Sequence, residues 1–283
     1  MPDLPCPAPI TLAGRRFDWG RRTYLMGILN LTCDSFAGDG LAADVDRALA
    51  QAERFAAEGA DILDLGAEST RPGFTPVSAE QQIARLLPVL ERLRDLCDLP
   101  LSVDTTSGEV AQAVLAAGAS LINDTSGLRG DTGLASTVAE TAAAAVVMHN
   151  QRGRPFRDVI ADIRAGLAAS FRVAARAGLP RERLIIDPGL GFGWEPQQNL
   201  EIVRRLGELR GLGRPILVGP SRKSAIGLVL DVPVEQRLEG TAALVALAIA
   251  NGADIVRVHD VGAMSRVARM TDAVVRGWEP SRG

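Results

Sequence analysis

Residues 58–65 read EGADILDL, and the phrase returns as AGASLIND at residues 117–124 and NGADIVRV at residues 251–258. Each time a glycine-alanine pair follows a stretch of helical periodicity and leads, through a polar residue, into a short apolar run. Glycine stops the helix, the polar residue turns the chain, and the apolar run starts a buried strand. A strand that reads as a continuous apolar run is buried on both faces, as in a parallel sheet covered by helices. Recurrence of one helix-to-strand junction therefore points to repeated βα units.

Working outward, DILDLG from Asp61, SLIND from Ser120 and DIVRVH from Asp254 are joined by five further runs. These are YLMGIL from Tyr24, LSVDT from Leu101, AAVVMH from Ala144, LIIDPG from Leu184 and PILVG from Pro215. Between the first two strands, DVDRALAQAERFAAEGA places Val45, Leu49, Ala52, Phe55 and Ala56 on one helical stripe. The count is eight βα units with no segment to spare, which favours a closed (β/α)8 TIM barrel of the α/β class over an open doubly wound sheet. GILNLT, after the first strand, also lacks the glycine fingerprint of a dinucleotide-binding open sheet. Residues 1–22 precede the barrel, and ITLAGRRFDWG within them reads as a hairpin turning at Ala13-Gly14. It is expected to close the bottom of a barrel domain spanning residues 23–283.

Composition narrows the function. The 283 residues are 47% hydrophobic but only 4% aromatic, so the core must be built from aliphatic side chains. A formal net charge of −3 argues against nucleic acid or a membrane surface as partner. No apolar run is long enough to span a bilayer, and MPDLPCPAPI lacks the pattern of a secretory signal. Three scattered cysteines (Cys6, Cys33, Cys97) form neither a disulfide framework nor a CxxC pair, and two histidines argue against a His/Cys zinc site. The expectation is a cytoplasmic protein acting on small molecules.

In a barrel of this kind chemistry gathers at the C-terminal ends of the strands. Those ends carry Asn30, then Glu68 to Arg71, Asp104, Asn123 and Asp124, then His149, Asp187, Ser221 to Ser224, and Arg257, His259 and Asp260. Any one carboxylate there can simply cap the next helix. A whole ring of such residues is a site. Its carboxylates, asparagine and single ammonium suit a flat heterocycle rich in N–H donors and carbonyl or ring-nitrogen acceptors. Arg257 and His259 alternate on one strand and can meet an anion, while Phe192 in DPGLGFG can wall an aromatic ligand. Lys223 is the only lysine in the chain. Lysine is a slim point charge where arginine is a planar fork.

These residues resemble the dihydropteroate synthases of folate biosynthesis. MGILNLTCDSF, DILDLGAESTRPG, LSVDT, LINDTSG, MHNQRG, DPGLGFG, GPSRKSAIG and RVHDV carry the resemblance, in that family's order, over residues 24–275. It implies a homodimeric barrel, a transferase joining p-aminobenzoate to 6-hydroxymethyl-7,8-dihydropterin diphosphate with Mg²⁺. By the same resemblance Asp104, Asn123 and Asp187 frame the pterin ring, and Lys223 meets its carbonyl and ring-nitrogen edge. Asn30 matches the Mg²⁺ residue. Thr70, Arg257 and His259 match diphosphate contacts, and Arg71, Pro72 and Ser224 the aminobenzoate side. Asp104, Lys223, Arg257 and His259 are the candidates for catalysis. Two positions depart from the family: Cys33, where it usually has proline, and Trp194, where it has lysine. Trp194 is expected at the rim, outside the pterin frame, Cys33 to play no nucleophilic part, and His149 to be structural.

Overall fold

Each of the eight apolar runs becomes one strand of a single parallel sheet. The computed structural model of the chain describes residues 6–31, 41–68 and 77–278. After an N-terminal pair, β1 (Ile10–Leu12) and β2 (Arg15–Phe17), come β3 (Tyr24–Asn30), β4 (Ile62–Gly66), β5 (Leu101–Asp104) and β6 (Leu121–Asp124). They are followed by β7 (Ala144–Met148), β8 (Leu184–Asp187), β9 (Leu217–Val218) and β10 (Ile255–Val258). The strands bond in the order β8-β7-β6-β5-β4-β3-β10-β9, and a parallel bridge between Ile186 and Ile216 closes the ring. The closing hydrogen bond runs from the Ile186 N–H to the Pro215 carbonyl at 2.9 Å.

Helices α1 (Leu41–Ala57), α2 (Ala79–Leu96), α3 (Gly108–Ala116), α4 (Leu134–Ala139), α5 (Val159–Arg176) and α6 (Pro196–Arg204) alternate with β3 to β9. Two helices rather than one then separate β9 from β10: α7 (Ser224–Leu230) and α8 (Leu238–Ala250), before the final α9 (Val261–Arg276). The sequence does hold a spare segment. Helix α7 stops after seven residues because Asp231 turns left-handed (φ 53°) and Pro233 follows. None of the helices among the described residues is long and apolar enough to cross a membrane.

Two apolar clusters hold the structure. The larger lies between sheet and helices and includes Leu49, Ala52 and Phe55 of the predicted α1 stripe. The smaller fills the lower half of the barrel with Tyr24, Met26, Ile62, Leu121, Ala144, Val146, Ile185, Leu217 and Ile255. Ile10, Leu12, Phe17 and Trp19 of the hairpin belong to that inner cluster, so β1 and β2 plug the barrel's base. Their turn has both Ala13 (φ 46°) and Gly14 (φ 78°) left-handed, the conformation that matches strand twist in a two-residue hairpin. Because successive side chains alternate across a strand, the residues two positions beyond Ile62, Leu121, Ile185 and Ile255 also face inward. These are Asp64, Asn123, Asp187 and Arg257. The barrel is apolar below and polar above, and the change occurs within a single residue pair on four strands.

Candidate active site

Strand register assembles the polar half. Asn30 pairs with Gly66, Gly66 with Asp104, and Asp104 with Asn123, giving one row across β3 to β6. Gly66 stands between Asn30 and Asp104 in this row: a Cβ there would lie 3.9 Å from Asn30 Oδ1 and 3.8 Å from Asp104 Cβ, in contact with both. One layer down, Asp64 and Ser102 pair on β4 and β5, and both are wholly buried. Asp64 accepts from the Ser102 hydroxyl at 2.5 Å, from Asn123 Nδ2 at 3.1 Å and from Arg257 Nε at 2.6 Å. Arg257 Nη2 donates in turn to Asp104 at 3.0 Å. Such a carboxylate is tolerable without solvent only because each oxygen is hydrogen-bonded and its charge is paired.

The DPGLGFG turn forms the opposite wall. The Asp187 carboxylate accepts the Gly189 N–H at 2.7 Å, and Asn199 from α6 accepts the Gly191 N–H at 2.6 Å. These bonds place Phe192 so that Lys223 Nζ lies 4.6 Å and the Arg152 guanidinium carbon 4.9 Å from its ring centre. Gly191 is the floor under the lysine stem, since a Cβ there would sit 2.9 Å from Lys223 Cδ and 3.3 Å from Nζ. The slot is narrow. The lysine stem runs against the Gly191 backbone and its ammonium ends over the Phe192 ring, an approach that suits a slim point charge better than a broad fork.

Beside this frame, Ser221 Oγ accepts the His259 backbone N–H at 3.2 Å and lies 3.0 Å from His259 Nδ1. A hydroxyl both donates and accepts, so this contact holds the imidazole in place in either tautomer. Arg222, in the left-handed region at φ 56°, is held by a two-point contact to Asp260 at 2.6 and 3.0 Å. Buried and half-buried carboxylates with one ammonium, an aromatic wall and a group of N–H donors thus meet at one barrel mouth.

The model of a family described as pterin-binding enzymes matches residues 26–259. Dihydropteroate synthase from Clostridium beijerinckii is 43% identical over 266 residues, covering 94% of this chain and 99% of that protein. The chain belongs to the dihydropteroate synthases. The crystal structure of a Clostridium difficile dihydropteroate synthase with pteroic acid superposes with a TM-score of 0.89 at 46% identity, covering 92% of this chain and 99% of the other. That of the Xanthomonas albilineans enzyme with 4-aminobenzoic acid gives 0.89 at 41% identity, covering 95% and 98%.

Within this synthase, burial dominates the electrostatics. It raises the Asp187 carboxyl to about 6 against the opposing pull of the Gly189 N–H, Lys223 and Arg257. Burial raises Asp104 as well, offset in part by Arg257 and reinforced by Asp64 and Asp124. Lys223 is lowered to about 8, first by burial and then by Arg257, although Asp187 and Asp104 pull it upward. His259 falls to about 4 through burial and the charges of Arg257 and Arg222, so at neutral pH it is a neutral N–H donor. The carboxylate of Asp187 and the ammonium of Lys223 coexist only between about pH 6 and about pH 8. The kcat/KM for the pterin substrate is therefore expected to fall on both sides of that window. A pH–rate profile checks this, and a flat profile from about pH 5 to about pH 10 contradicts it.

The other sequence-predicted residues separate into groups. Ser224 is the first residue of α7 and exposed, next to Lys223 in the chain. Thr70, Arg71, Pro72 and Cys33 lie outside the described residues. Asp124 belongs to the loop rather than the frame: it is fully buried and accepts the Ser126 and Leu128 N–H groups at 2.7 and 2.5 Å. His149 is buried behind the turn, bonded through Nε2 to Gln151 at 2.8 Å. Trp194 is not at the rim. It is buried, with its ring centre 5.5 Å from that of His149, because Gly193 turns the chain inward onto residues 151–152.

Asp64 escaped the reading by strand ends because it lies in mid-strand. The signal was present all the same: an aspartate two residues after Ile62 in a buried run is a buried charge, which requires partners. For a metal, Asn30 supplies a hard oxygen donor at an exposed strand end. No group of three or more His, Cys, Asp or Glu side chains suited to a metal occurs among the described residues. A single amide oxygen fits Mg²⁺, which keeps several waters and takes substrate phosphate oxygens as ligands.

Proposed function

We propose that the chain condenses 6-hydroxymethyl-7,8-dihydropterin diphosphate with p-aminobenzoate, forming 7,8-dihydropteroate and diphosphate. The observation that carries this reading is the gathering of buried Asn123 and Asp187 with half-buried Asp104 and Lys223 around one barrel mouth, with Arg257 and His259 beside them. The three acceptor-bearing side chains meet the N–H-rich edge of the ring, and Lys223 donates to its carbonyl and ring nitrogen. The bond between the methylene carbon and the diphosphate oxygen breaks, and the electron pair leaves with diphosphate. The ring, held against Asp104, delocalises the positive charge that develops. Mg²⁺, held by Asn30, would neutralise charge on the leaving group. Arg257 and neutral His259 donate N–H groups to the same oxygens. The aniline nitrogen then forms the new C–N bond from beside Phe192 and Ser224, with Arg71 and Pro72 assigned to the aminobenzoate by their match to the family's motif. An anilinium loses its proton readily, so the protein needs no strong base, and orientation supplies much of the acceleration. Release of diphosphate that requires both substrates tests the reading, and turnover with either alone would exclude it.

We place the enzyme in the cytoplasm as a homodimer joined through α7, α8 and α9. Leu228, Leu247, Met270 and Val274 on these three helices are 67%, 54%, 67% and 72% exposed, an apolar face that water does not favour. Helices α8 and α9 pack side by side, so their exposed side chains extend one surface. Leu247→Glu combined with Met270→Glu is expected to convert a dimer to a monomer in sedimentation equilibrium. A wild-type chain that sediments as a monomer contradicts the arrangement.

A further inference from the structure

Asp64 has no part in the roles just assigned, yet Asn123 and Arg257 are both bonded to it. We propose that Asp64 is a positioning residue for the condensation: from beneath the ring it sets the direction of the Asn123 amide and holds Arg257 against Asp104. The inference rests on the proposed role of Asn123 in reading the pterin.

An asparagine amide has nearly the same shape in its two orientations, so its neighbours decide which end is nitrogen. Asp64 Oδ2 already takes the Arg257 Nε, so it faces its neighbours as an acceptor. At 3.1 Å the Asn123 atom facing it must be Nδ2, because a flipped amide would set two oxygens together in a place without solvent. One N–H of Asn123 is thereby spent on Asp64, and the other N–H and Oδ1 are directed to a ligand as an adjacent donor and acceptor. That pair matches a ring nitrogen beside an N–H, the pattern along the edge of a pterin. The same Oδ2 takes the Arg257 Nε at 2.6 Å, so one oxygen ties β6 to β10 across the barrel. Oδ1 is occupied by Ser102 at 2.5 Å. With both oxygens used and no exposure, Asp64 cannot itself touch the substrate. Its effect must pass through Asn123 and Arg257. A buried ion pair adds little stability over an apolar substitute, whereas it does impose one arrangement on the groups around it.

Asp64→Asn is the test, measured in steady state with each substrate varied and with melting recorded to confirm folding. The KM for the pterin diphosphate is expected to rise at least about tenfold while that for p-aminobenzoate stays within about twofold. In an Asn123→Ala background the same substitution should raise the pterin KM by a smaller factor than it does alone, since one of its two routes is already gone and only that through Arg257 remains. If Asn123→Ala alone leaves the pterin KM unchanged, the reading of the frame fails and this inference with it. If Asn123→Ala raises that KM but Asp64→Asn does not, raises both KM values alike, or adds in full to Asn123→Ala, the frame stands and the role of Asp64 is overturned. Should Asp64→Asn not fold, Ser102→Ala decides. Losing the hydroxyl that fixes Oδ1 should raise the pterin KM alone by about threefold, and no change would overturn the proposal.

Discussion

Lys223→Arg is expected to lower affinity for a pterin ligand by about 100-fold or more, roughly 2.7 kcal/mol, with the fold intact. The substitution keeps the charge, so an electrostatic role alone predicts a small effect. Geometry predicts a large one. The lysine stem crosses the Gly191 backbone so closely that even a single added carbon there would stand 2.9 Å from Cδ. Nζ ends 4.6 Å from the centre of the Phe192 ring, within electrostatic reach of the Asp187 and Asp104 carboxylates. A guanidinium is planar and several ångströms wide, and it would have to displace Phe192 or the turn, or point away and leave Asp187 without its cation. In either case buried polar groups lose partners, at about 1–3 kcal/mol each. Lys223 is partly exposed at the mouth, so the arginine chain has an outward path and folding should survive. Calorimetric titration with a pterin analogue, beside a thermal melt, measures both. Wild-type affinity in the arginine variant would show that charge alone is what the position requires.

The largest effect on stability is expected from Gly189→Ala, a loss of about 3 kcal/mol or more and a fall in Tm of about 8 °C. Gly189 is left-handed at φ 78°, where an alanine costs about 1 kcal/mol or more. Its Cβ would also fall 1.8 Å from the carbonyl oxygen of His149. A backbone carbonyl cannot swing aside as a flexible side chain can, and here the His149 N–H is itself bonded to the Asp187 carbonyl at 3.0 Å. The turn would have to lift from residues 149–152. That movement would break the Gly189 N–H contact that orients Asp187, so pterin affinity should fall with stability. Gly178→Ala is the control. It has a similar φ of 74° but nothing within 4 Å of a new Cβ, and it should lose only the strain. Equal melting temperatures for the two variants would refute the steric account.

By itself the sequence determined the class of the barrel and most of its rim. Runs such as YLMGIL and LIIDPG are continuous and apolar because their strands are buried on both faces, and burial of that kind is written locally in composition. The glycines at helix ends are local as well, which is why eight strands were countable. The hairpin at Ala13-Gly14 was legible from its turn, and the rim residues from their place just after each run. What tertiary structure decided is which of these residues are bonded to one another, and those bonds join positions far apart in the chain. Arg257 reads from sequence as an anion contact, but only the closed barrel sets it against Asp64 and Asp104, which precede it by 193 and 153 positions. Asp64 lies within its strand rather than at its end, so its importance depends on what stands across the barrel. Trp194 looked like a rim residue because it stands where the family has lysine, in a chain that has almost none. The left-handed glycines around it turn it inward, and that choice is made by contact with residues 149–152. Helix α7 was invisible for a related reason: seven residues are too few for periodicity to show, and the helix persists because Ala225 and Ile226 are buried against the rest of the structure.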